Sequence, residues 1–89
     1  MTVRRYRSKT VEIHAIQLTA DNTDQVKAWI LSNGGKALPL APAGLAIDTP
    51  EGRMEAPPGW WIIQGTEGEF YPCKNTIFEH KYEPTENPT

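Results

Sequence analysis

Five residues, Trp60-Trp61-Ile62-Ile63-Gln64, constrain this chain more than any other stretch. Four of them are aromatic or β-branched, which suits a pleated, packed surface. Turn residues bound the run on both sides, Pro57-Pro58-Gly59 before it and Gly65-Thr66-Glu67-Gly68 after. The segment reads as a strand. Alternation puts Trp61 and Ile63 on one face and Trp60, Ile62 and Gln64 on the other. Both faces carry apolar bulk, so both require a cover. With 89 residues the chain supports one small domain, which buries only roughly 60–65% of its extended-chain surface. Covers are scarce at that size.

One cover is legible. Val26, Trp29 and Ile30 fall at i, i+3 and i+4, a single apolar stripe. Asn22 with Gln25 three positions on resembles a capping box, and Asp24 suits the positive end of a helix dipole. Asn33-Gly34-Gly35 offers the left-handed conformation that stops a helix. The spacing predicts a helix over 23–33. Before it, residues 10–18 (TVEIHAIQL) alternate as a strand, with Val11, Ile13 and Ala15 on one face and Glu12, His14 and Ile16 on the other.

After the helix, short strands and turns follow. Residues 36–41 form a weak strand that Pro39 confines to an edge. Residues 45–49 and 53–56 pair across a Pro50-Glu51-Gly52 loop, and residues 69–71 return beside the Trp60–Gln64 strand. Residues 75–78 make one helical turn, and 80–83 a last edge strand. The expected fold class is α+β, one helix packed on a small antiparallel sheet with β-α-β meander order. Residues 1–89 form one domain in this reading, with a basic N-terminal arm at 1–8 and a solvated tail at 84–89.

Charge narrows the function classes. The net charge is −2. Residues 1–44 carry six bases against three acids, leaving +3, and residues 45–89 carry three bases against eight acids, leaving −5. Arg4, Arg5, Arg7 and Lys9 cluster, but four charges displace only about four counterions from duplex DNA. No basic recognition helix accompanies them, so nucleic acid is a poor partner. No apolar run approaches the length of a membrane span, and the basic N-terminus leads into no secretory h-region. A single cysteine, Cys73, excludes an intrachain disulfide framework. A reducing cytoplasm is the expected setting.

Catalytic constellations are missing. Cys73 has only His14 and His80 as candidate bases, in no recognised spacing. The histidines, Cys73 and the carboxylates show no metal-ligand pattern. Glu67 and Glu69 flank Gly68 as a loop and strand-edge pair, and Gly34-Gly35 follows a helix where a phosphate loop would precede one. No cofactor is implied. The densest feature is aromatic. Trp29 belongs to the helix stripe, so either Trp60 or Trp61 must point away from it. An outward tryptophan with Arg53, Glu69, Tyr71 and Lys74 around it is the candidate binding surface. It would serve a protein partner, a second copy of the chain, or a stacked nucleotide ring.

The stretch from Pro58 to Glu83, PGWWIIQGTEGEFYPCKNTIFEHKYE, resembles a family of small proteins of tailed phages and prophages, mostly of unknown function. The resemblance is carried by Pro58-Gly59, Trp61-Ile62-Ile63, Gly65, Gly68-Glu69-Phe70-Tyr71-Pro72-Cys73-Lys74, Ile77-Phe78 and Tyr82-Glu83. Asp48-Thr49-Pro50-Glu51-Gly52 and His14-Ala15-Ile16-Gln17 are similar to the family's upstream segments. Trp60 stands where the family usually has Asp. The resemblance implies a phage setting and no established activity. The expected function is a non-enzymatic accessory protein that binds a host protein in the host cytoplasm. A sponge for a small nucleotide signal and a minor virion or assembly component are the alternatives.

Overall fold

The computed structural model describes residues 13–83. The basic arm, the first residues of the predicted 10–18 strand and the 84–89 tail lie outside that range. Six strands and two helices follow in the order β1 (His14–Gln17), α1 (Thr23–Ser32), β2 (Ala37–Pro39), β3 (Leu45–Thr49), β4 (Gly52–Ala56), β5 (Trp61–Gln64), β6 (Phe70–Cys73) and α2 (Asn75–Lys81). The class is α+β. The strands form two antiparallel three-stranded sheets, β1-β5-β6 and β2-β3-β4, in place of the single sheet expected. Alternation marks where strands occur and is silent on which of them pair. β1 bypasses its sequence neighbours and pairs with β5, His14 opposite Gln64 and Ile16 opposite Ile62.

One core serves both sheets. Leu18, Val26, Ile30, Ala37, Leu45, Ile47, Ala56, Ile62 and Phe70 form it, with Ile16, Trp29 and Trp60 packed against it. Helix α1 supplies Val26 and Ile30, and the ring of Trp29 meets Phe70 of β6 edge-on at 5.2 Å between centroids. Such a pair contributes roughly 0.5–1.5 kcal/mol beyond the area it buries. Strand β2 is an edge strand, as Pro39 requires.

The two ends of α1 differ in how they are made. At the start, Asn22 does not cap the helix. Its Oδ1 accepts the Thr19 N–H at 2.7 Å and its Nδ2 donates to the Gln17 carbonyl at 2.9 Å, so the side chain is committed to the loop leaving β1. The capping box read from Asn22 and Gln25 does not form. At the finish, Gly35 N–H bonds the Ile30 carbonyl and Gly34 N–H the Leu31 carbonyl, with Gly34 at φ +86°. This is a Schellman ending, and it closes the helix where the glycine pair predicted.

The C-terminal region departs most from expectation. The turn at Asn75 continues to Lys81 as a seven-residue helix, and no strand forms over 80–83. Phe78 explains the difference. A helix lets it reach back over Trp61, and Tyr82 at i+4 then stands beside Phe78. Extended backbone would send residues 78 and 82 away from that stack.

Candidate functional site

Register separates the two faces of the β1-β5-β6 sheet, because directly opposed residues share a face. Ile16, Ile62 and Pro72 are mutually opposed, and they lie on the core side with Phe70. Gln17, Trp61 and Cys73 are opposed on the outer side, as are Ala15, Ile63 and Tyr71. Trp60 shares the core side and packs on the core. Trp61 is therefore the outward tryptophan. The expectation that only one helix was available as a lid is corrected here, since α2 lies over the outer face.

The contact between α2 and the sheet is aromatic and specific. Trp61 and Phe78 stack with centroids 4.1 Å apart and planes 4° from parallel. Tyr82 lies against Phe78 at 5.0 Å. The Trp61 indole N–H donates to Asn75 Oδ1 at 2.8 Å, and Gln17 Nε2 reaches the same oxygen at 3.4 Å while donating to the Gly59 carbonyl at 2.9 Å. Trp61, Phe78 and Tyr82 all remain part-exposed, and Ile77, the residue before Phe78 on α2, is 50% exposed. The rings form a half-covered apolar row, with an exposed isoleucine on the same helix.

The remaining candidate residues do not gather there as one group. Arg53 lies on β4, opposite Asp48 of β3, and its Nε donates to Asp48 Oδ1 at 3.0 Å. Both members are exposed, and an exposed pair contributes about 0–1 kcal/mol. Arg53→Ala is expected to lower stability by no more than about 0.5 kcal/mol, measured by urea unfolding; a loss above about 1 kcal/mol would show the pair to be structural. Glu69 closes the β5–β6 loop. Its carboxylate accepts the Glu67 N–H at 3.0 Å and lies against Gly65, where an added Cβ would come within 2.8 Å of it. Tyr71 shares the outer side. Partial burial first, then the carboxylates of Glu69, Glu51 and Glu67, push its phenol pKa upward. Lys74 joins β6 to α2 and is exposed.

Burial raises the Cys73 pKa, with the Lys81 charge pulling the other way. Its Sγ donates weakly to the Lys74 carbonyl at 3.7 Å. Glu69 holds its loop through backbone as well as side chain, its carbonyl accepting the Gly65 N–H at 2.7 Å and its carboxylate the Glu67 N–H. Among the described residues no three His, Cys, Asp or Glu side chains converge as a metal site, and no helix is long and apolar enough to cross a membrane. A nucleotide ring would find one face of Trp61 already covered by Phe78, and Arg53 held by Asp48 on the other sheet.

The residues missed by sequence reasoning are Asn75, Phe78 and Tyr82. Their i, i+3 and i+7 spacing was present, in a stretch read as half turn and half strand. Set against models of known families, curated proteins and solved structures, the chain matches none.

Proposed function

We propose that this chain is a non-enzymatic accessory protein of a phage or prophage that engages a host protein in the host cytoplasm through the surface built by β5, β6 and α2. The observation that carries the reading is the part-exposed row Trp61–Phe78–Tyr82, with the half-exposed Ile77 on the same helix. Aromatic anchors of this kind, rigid and already partly desolvated, are what protein interfaces use as their energetic centre. The phage setting is supported by the Pro58–Glu83 resemblance.

Trp60→Ala is not a clean probe, because Trp60 packs on the core. Ile77→Glu is, since the side chain is half exposed and lies outside the core. The control is Leu38→Glu, equally exposed on β2. In a crosslinked pull-down from host lysate, Ile77→Glu is expected to reduce capture of a specific host protein by about tenfold, while Leu38→Glu retains it. Identical capture by all three proteins would remove the surface from consideration. Capture of an untagged copy of the chain itself would reassign it to a homodimer.

A further inference from the structure

The helix that covers the outer face is held unusually lightly. None of the seven α2 residues is buried, and none belongs to the core cluster. Its cap residue Lys74 makes no side-chain bond to the first turn, which also carries no acid. Only His80 and Lys81, in the last turn, suit the helix dipole. A helix of this length has no stability of its own in water. Among the described residues, its docking rests on one ring stack and on Asn75 Oδ1, shared by Trp61 and Gln17. The core is complete without it, drawing on α1, both sheets and Leu18.

We propose that α2 is a hinged cover, which leaves the β1-β5-β6 sheet as a unit while both sheets and α1 stay folded. The hinge is Lys74, whose extended backbone (φ −59°, ψ 141°) separates β6 from the helix. Opening uncovers the second ring face of Trp61 and further exposes the part-buried Cys73, which lies directly opposite Trp61 and adjoins the hinge. Regions that open below the global unfolding free energy are those with few buried contacts, and α2 fits that description. The cover carries Ile77, Phe78 and Tyr82, so the surface assigned above to a host partner exists only while α2 is docked. It rests on that reading for its purpose, while its test needs only the free chain.

The test is amide hydrogen exchange on the full-length protein, followed by NMR, with iodoacetamide labelling of Cys73 in parallel. The Phe78 and Tyr82 amides, bonded to the Lys74 and Phe78 carbonyls, are expected to exchange about 100-fold faster than those of Ile62 and Ile63 in the central strand. Phe78→Ala removes the stack and is expected to speed labelling of Cys73 about tenfold, leaving exchange at Ile62 unchanged. Asn75→Ala, a milder variant, is expected to speed it about threefold. Equal protection of α2 and β5 would overturn the proposal. So would a Phe78→Ala chain that fails to fold or that loses protection at Ile62, because the sheets would then depend on the helix. Neither result bears on the pull-down, which reads the surface with α2 in place.

Discussion

Gly44→Ala is expected to destabilise the protein by about 2–4 kcal/mol, measured as a lowered urea midpoint by circular dichroism. Two causes act together. Gly44 has φ +106°, a conformation that costs a side chain, and a Cβ there would lie 2.7 Å from the Ala56 carbonyl oxygen. That oxygen belongs to backbone at the end of β4, where Ala56 pairs with Leu45, so it cannot swing aside as a side chain would. The Leu40 N–H also bonds the Gly44 carbonyl and anchors the turn from the other side. Gly34→Ala separates the two causes. Gly34 has a similar positive φ of +86° with open space around it, and only strain, about 1 kcal/mol, is expected there. Equal losses at the two positions would show that the approach to Ala56 carries no cost.

Ile62→Ala is the second large effect, at about 3 kcal/mol. Ile62 is fully buried at the centre of its sheet, flanked by Ile16 on β1 and Pro72 on β6, and it belongs to the single core that joins both sheets to α1. Truncation removes three carbons from a site flanked by paired strands on both sides, so the cavity closes little. Domains of this size hold only several kcal/mol in total, so the variant is expected to unfold substantially at physiological temperature. Ile62→Val is expected to cost about 1 kcal/mol. A loss below about 1 kcal/mol for alanine would mean that the core repacks around the gap.

The contrast between these positions and the candidate surface shows what residue patterns disclose. The Val26–Trp29–Ile30 stripe and the glycine ending were readable because helix periodicity and left-handed backbone are local properties, and α1 ends with Ser32 accordingly. Alternation likewise put Trp60 and Trp61 on opposite faces, which register bears out. Pairing was not readable. Nothing within β1 names β5 as its mate in preference to a nearer strand, and two sheets formed where one was expected. The Asn22 side chain shows the same limit at smaller scale. Its residue type favours capping, but the loop from β1 brings the Thr19 amide and the Gln17 carbonyl within reach, and these take its hydrogen bonds. For the candidate site, Trp61 was visible and its cover was not. Phe78 becomes helical because a ring distant in sequence awaits it, and local propensity over 75–83 carries little record of that ring.

The pairing of β1 with β5 has a consequence in time. Asp48 meets Arg53 across a two-residue loop, whereas His14 meets a residue fifty positions downstream. Contacts of long sequence separation form after the intervening chain has surrendered its freedom, and they slow folding accordingly. A chain emerging from the ribosome can zip the β3–β4 hairpin while β1 still has no mate. Through that interval β1 presents an unpaired edge, and a chaperone or a neighbouring nascent chain would meet it there before β5 arrives.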